Sequence, residues 1–153
     1  KLQGEQAIEA VWEKHFIIRT SWVYSQFGSN FLKTMLRLAS ERTSLSVVSD
    51  QIGTPTYAVD LAEVLLKIVT SKTKTFGIYN FSNEGQCSWY DFAHEIFLQK
   101  DITIDLQAIS TKLYPTPAKR PAYSVLDKSK IKATFGVNIN DWKTSLNNCL
   151  KHY

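Results

Sequence analysis

Four short stretches carry side chains suited to a polar, partly anionic ligand. Trp22 follows the apolar run Phe16-Ile17-Ile18. An indole face suits the apolar face of a sugar, and its N–H can donate a hydrogen bond; a core or interface tryptophan is the competing reading. Arg19, Thr20 and Ser21 fill the space between run and tryptophan, and Arg19 serves equally well as a structural strand-end arginine. Asn30 precedes a helical pattern, where its side chain can cap the first turn and still be open to a ligand. Gln51, Thr54 and Thr56 lie in a tight polar turn around Gly53 and Pro55, with Thr56 placed to cap the following helix. Arg120 has a guanidinium fork that matches diphosphate oxygens, and a solvated loop arginine is nearly as good a reading.

Several constellations are missing. No glycine-rich GxGxxG or GxxxxGK[ST] loop follows a strand, and no GxSxG elbow is present. Cys87 and Cys149 lie far apart without metal-like spacing, which suits free buried thiols in a reducing cytoplasm. His15, His94 and His152 are isolated, so no metal site is expected. The net charge of +4 comes from scattered Lys and Arg, without the clustering of a nucleic-acid footprint. No apolar run reaches the roughly 18 residues of a membrane helix. The only Met is Met35, so position 1 is expected to be a cut rather than a natural start.

Alternating strand and helix patterns must position these residues. Helices are expected over 2–14, 30–42 and 57–70, the last almost all apolar and so mostly buried. Strands are expected at 16–18, 45–48, 76–81 and 102–109. Ser88 and Asp91 form a capping box for a helix whose Trp89, Phe92, Ala93, Ile96 and Phe97 share one face. Trp89, Tyr90 and Trp142 are assigned to packing on that spacing. Tyr114–Pro121 holds three prolines and reads as an ordered loop or a linker, and Asp127 and Asn140 read as caps of two final helices. With 153 residues the pattern fits a single α/β unit with a partly parallel sheet. Ligands of such sheets sit at the carboxyl ends of strands, so the loops after Ile18, Val48 and Phe81 are the places to look.

Ordered stretches go further than periodicity. Lys1-Leu2-Gln3-Gly4-Glu5, Ile17-Ile18-Arg19-Thr20-Ser21-Trp22-Val23-Tyr24, Asn30-Phe31, Asp50-Gln51-Ile52-Gly53-Thr54-Pro55-Thr56, Cys87-Ser88-Trp89-Tyr90, Tyr114-Pro115-Thr116-Pro117-Ala118 and Arg120-Pro121 with Tyr123–Asp127 occur in this order. Together they resemble the dTDP-4-dehydrorhamnose reductase family of extended short-chain dehydrogenase/reductases, over essentially the whole chain. The resemblance implies the C-terminal part of a Rossmann-like sheet plus a small α/β substrate-binding domain. It implies NADPH or NADH as cofactor, a dTDP-sugar as substrate and a cytoplasmic setting, with neither nucleic acid nor membrane as partner.

Lys1 matches the lysine of the family's Tyr-x-x-x-Lys motif, whose ammonium favours the phenolate and holds the nicotinamide ribose. The motif's tyrosine and the glycine-rich loop would lie before position 1, leaving the chain inactive alone. Arg19, Thr20 and Ser21 would border the nicotinamide. Trp22 would meet the sugar, and Asn30, Gln51, Thr54 and Arg120 would line the sugar-nucleotide cleft. A sibling sugar-nucleotide reductase or epimerase and a non-catalytic regulatory subunit are the alternatives. A sheet edge left uncovered by an absent half is expected to drive self-association or homodimer formation.

Overall fold

The computed structural model describes residues 1–153. The apolar run becomes strand β1 (Phe16–Arg19), preceded by helix α1 (Leu2–Val11). The next elements are β2 (Val23–Tyr24), α2 (Phe31–Glu41), β3 (Ser44–Val48), β4 (Ile52–Gly53), β5 (Thr56–Tyr57) and α3 (Ala58–Thr70). They are followed by β6 (Gly77–Asn80), β7 (Cys87–Ser88), α4 (Trp89–Gln99), β8 (Asp105–Ile109), α5 (Ser129–Phe135) and α6 (Trp142–Leu150). β1 pairs in parallel with β6, and β3 in parallel with β8. The tight turn at 53–56 is flanked by two short pairings, β2 with β5 and β4 with β7.

Two apolar cores result. The larger joins α2, β3, α4 and α6 around Phe92, Ile96, Leu32 and Leu146, which are fully buried. The smaller packs Val64 and Ile68 of α3 with Ile131 and Phe135 of α5 against Tyr79 and Phe81, and Phe16 and Ile18 of β1 add to it. A buried polar knot joins the two. The Asn83 amide oxygen accepts from the Tyr57 amide at 2.8 Å, and its nitrogen donates to Asp60 at 2.5 Å and Ser145 at 2.8 Å. Lys128, itself buried, donates to the Asn83 carbonyl at 2.9 Å and pairs with Glu84. Partnering of this kind removes the desolvation cost that isolated buried polar groups carry.

Several expectations change. α3 is far less buried than its composition suggests: only Val64 and Ile68 are covered, while Leu66 and Val69 remain 67% and 69% exposed. α1 stops at Val11 and likewise leaves Ile8, Val11 and Trp12 exposed. Period 3.6 tells which residues share a face, not whether another element covers that face. The cap of α6 is Asp141, accepting from the Lys143 amide, one residue beyond the expected Asn140. Asn140 instead uses its carbonyl to accept from the Glu84 amide. Thr56 does not cap α3, because its hydroxyl donates to the Ser21 carbonyl. The N-cap of α5 is Lys128, one residue beyond the expected Asp127, and it makes no side-chain cap bond; Asp127 accepts from the Ser129 amide at 2.9 Å from just outside the cap position. The Ser88–Asp91 capping box is formed in both directions. The strand after α4 starts at Asp105, not 102.

Candidate functional site

A cavity of about 870 Å³ runs along α2 and β3. Phe31, Met35, Leu38 and Arg42 form one wall, since residues three or four apart share a helix face. Gln51, Trp89, Tyr114 and Arg120 close other sides. The chain has four arginines. Arg19 pairs with Glu5 and Arg37 with Glu41. The other two, Arg42 and Arg120, make no ion pair, and both lie on the cavity wall. Guanidinium groups without a carboxylate partner beside an apolar groove suit an anionic ligand with an apolar body.

The opposite feature of the cavity is aromatic. Trp89 stacks on Trp22 with centroids 3.6 Å apart and planes 15° from parallel, and Phe31 meets Trp89 at 4.7 Å. Trp22 holds a left-handed backbone with φ of 48°. Such a conformation is unusual for a bulky residue and concentrates at functional sites. A Cβ on Gly53 would stand 2.6 Å from the Trp22 ring, so only glycine admits this indole. Trp22 thus reaches the cavity through Trp89, which packs against the larger core as its helical spacing suggested and also lines the cavity.

Gln51 is buried, lines the cavity and donates to the Thr111 hydroxyl at 3.0 Å. Its neighbour Asp50 accepts from the Thr111 amide at 2.8 and 3.0 Å and from the Thr111 hydroxyl at 2.6 Å. Those bonds hold the Asp50 carboxyl below the usual aspartate range. Thr54 and Asn30 do not line the cavity. Thr54 is wholly buried, donating to the Gly85 carbonyl at 2.8 Å and accepting from the Ser21 hydroxyl at 2.9 Å through its own carbonyl. Asn30 uses its amide oxygen to cap α2 through Lys33 and its nitrogen to hold the Ser25 carbonyl. Both are drawn away from the ligand side by backbone groups that need partners.

The loop after β1 is fixed from one side. Thr20 bonds Thr56 at 3.2 Å, and the Thr56 amide donates to the Trp22 carbonyl at 3.1 Å. Side-chain hydroxyls are thereby consumed, and the loop presents main chain and the indole. Arg19 grips Glu5 with Nε and Nη2, the closest approach being 2.6 Å, and this bond holds the Glu5 carboxyl below its usual range. The pair sets the first turn of α1 beside the carboxyl end of β1. Lys1 is exposed and stands one turn before Glu5, on the same helix face. The expected cofactor group (Lys1, Arg19, Thr20, Ser21) therefore gathers at the end of β1, and Trp22 links it to the cavity.

Two further residues line the cavity: Arg42, which the sequence reading passed over, and Trp89, which it assigned to packing. Arg42 continues the Phe31, Met35, Leu38 stripe and was within reach of the same spacing argument. Cys87 and Cys149 are buried, and burial pushes the Cys149 thiol up to about 11, which leaves a poor nucleophile. No three His, Cys, Asp or Glu side chains are grouped to hold a metal, and no helix is long and apolar enough to cross a membrane.

The model of the RmlD substrate binding domain matches residues 1–153. The chain belongs to that family. It is 45% identical to a dTDP-4-dehydrorhamnose reductase of Aggregatibacter actinomycetemcomitans, over 97% of this chain and 54% of the relative. It superposes on a dTDP-4-dehydrorhamnose reductase ortholog of Clostridium acetobutylicum with a TM-score of 0.94 and 43% identity, covering 99% of this chain and 53% of that one. A reductase of the same name from Bacillus anthracis, solved in complex with NADP, gives 0.93 and 37% over the same shares. The chain spans about half the length of these relatives. As an RmlD substrate-binding domain it is α/β with parallel strand pairs, and its solved relatives are reductases.

Proposed function

We propose that the chain is the sugar-nucleotide-binding part of an NADPH- or NADH-dependent dTDP-4-dehydrorhamnose reductase. That enzyme reduces the C4 ketone of dTDP-4-dehydro-L-rhamnose to dTDP-L-rhamnose. The observation that carries the reading is one cavity with a stacked tryptophan pair at its side and two arginines without acidic partners on its wall. A sugar suits the indole platform, and a diphosphate suits the guanidinium forks. Arg120 and Gln51 hold the nucleotide part, Trp22 and Trp89 orient the sugar, and Arg42 supplies a second cation.

The residues after β1 fit the nicotinamide end of a dinucleotide and nothing more of it. Thr20 and Ser21 are stitched to 54–56, so rigid main chain borders the ring, and Lys1, the N-cap of α1, keeps its side chain free of any partner to meet the ribose. When bound, the nicotinamide supplies hydride. The chain's own part is to hold the ketone face against that edge, with Trp22 excluding water and Lys1 favouring the ionised form of a neighbouring phenol. The free edge of β1 and the apolar faces of α1 and α3 are then covered by the rest of a longer enzyme, or by a second copy in its absence.

Isothermal titration tests the binding half. The chain is expected to bind dTDP-L-rhamnose and dTDP but not NADPH alone. Trp22→Ala and Arg120→Ala should each weaken dTDP-L-rhamnose by about tenfold. A folded chain that ignores both nucleotides, or variants that bind as well as the parent, would sink the reading.

A further inference from the structure

Residues 112–121 make no hydrogen bond to any distant part of the chain. Every backbone and side-chain bond they make is local: the Leu113 amide donates to the Ser110 carbonyl, the Tyr114 amide to the Thr111 carbonyl, and the Thr116 hydroxyl to the Ala118 carbonyl. No ion pair involves Lys112, Lys119 or Arg120. The stretch is held only at its ends, and three consecutive residues hold both. Asp50 and Gln51 grip Thr111, while the Ile52 amide donates to the Ala122 carbonyl at 2.8 Å.

Between these anchors stand Pro115, Pro117 and Pro121. Each proline removes an amide donor and fixes its own φ, so the stretch is stiff while lacking the donors to fasten itself elsewhere. Its side chains nevertheless face the cavity. Leu113, Tyr114, Thr116 and Arg120 all line it, yet Leu113 is 71% and Tyr114 58% exposed. A stiff plate, hung by its two ends, thus carries apolar side chains half in water above the apolar wall of Phe31, Met35 and Leu38.

We infer that residues 112–121 are a flap hinged on Asp50-Gln51-Ile52 that closes onto the ligand, and that Asp50 is its positioning residue. Closing breaks no bond to the body of the chain and removes Leu113 and Tyr114 from water, a favourable change. The Asp50 clamp on Thr111 fixes where the upstream hinge stands, and through it the aim of Tyr114 and Arg120. This rests on the sugar-nucleotide reading for the identity of the ligand, but the clamp itself does not.

The test is hydrogen exchange of the amides in 112–121, with and without dTDP, alongside titration of dTDP. The chain is compared as Thr111→Val and Thr111→Ser. Valine deletes the hydroxyl that serves both Asp50 and Gln51, and serine restores it. Without ligand, Thr111→Val should speed exchange in the flap and leave α4 amides unchanged, and Thr111→Ser should match the parent. With dTDP, the parent flap should slow its exchange, and Thr111→Val should bind about tenfold more weakly with serine recovering. A merely structural role would shift melting temperature in both variants without separating them in ligand protection.

Binding of dTDP with flap exchange unchanged overturns closure and leaves the nucleotide reading intact. No binding of dTDP overturns the nucleotide reading, and closure with it. Unliganded exchange that is the same in Thr111→Val and the parent overturns the clamp.

Discussion

Helices α3 and α4 read alike in the sequence, and the structure treats them differently. Both are rich in apolar residues. α4 buries Phe92, Ala93, Glu95, Ile96 and Phe97 between α2, β3 and α6. α3 buries only Val64 and Ile68 and turns Leu65, Leu66 and Val69 outward. Composition therefore says that a helix wants a neighbour, and only topology says whether the neighbour is present. α4 also carries its own capping box, whereas the cap of α3, Tyr57, makes no side-chain cap bond and relies on Asn83 to satisfy its amide. One helix is specified locally, the other by a contact 26 residues away.

The largest break in this contrast is expected at Phe92. Phe92→Ala should destabilise by about 3–5 kcal/mol in denaturant unfolding, since the side chain is fully buried. A cost under about 1 kcal/mol would mean that the core around α4 is looser than its contacts imply. Gly53→Ala comes next. Its methyl would collide with Trp22, and overpacking of this kind costs about 1–3 kcal/mol. The same change should displace Trp22 from Trp89 and so weaken dTDP-sugar binding, read by titration. Intact binding would argue that the stack is not part of the site.

Acid should act through the polar seams. At Glu84 and Glu95 burial raises the carboxyl pKa, but Lys132 and Lys128 at Glu84, and the Gln99 hydrogen bond with Lys143 at Glu95, outweigh it and leave both below the ordinary value of 4.5. A depressed pKa stabilises the fold fully above the unfolded value, and the gain fades as pH falls through the folded one. The melting temperature should hold from neutral pH down to about 4.5 and drop below it, less steeply in Glu84→Gln. A loss already present between about pH 7 and 5 would point to other groups. The smallest effect is expected on the exposed face of α3. Leu66→Ser should change stability by no more than about 0.5 kcal/mol while lowering self-association in sedimentation. A large loss of stability there would show that α3 is covered within the chain after all.

Element order was legible because periods 2 and 3.6 are written in the side chains: β1, β3, β6, α2 and α4 lie close to where the spacing puts them. The site was half legible. Trp22, Gln51 and Arg120 follow strand ends or sit in loops, which is where a sheet of this kind places ligands. Trp89 and Arg42 were hidden because they obey helical spacing, and spacing alone assigns such residues to packing. Thr54 and Asn30 do not line the cavity. They are polar in polar turns, and their side chains bond carbonyls and amides of neighbouring backbone.

The stacked indoles of Trp22 and Trp89 have one more consequence. Two strong ultraviolet transitions held 3.6 Å apart at 15° behave as a coupled pair of chromophores, unlike exposed Trp12 or buried Trp142. Circular dichroism of the chain should therefore carry a paired band of opposite signs from this one contact. Arrival of a ligand would be visible in that band without any label, because the pair stands at the border of the cavity and its coupling depends steeply on distance and tilt.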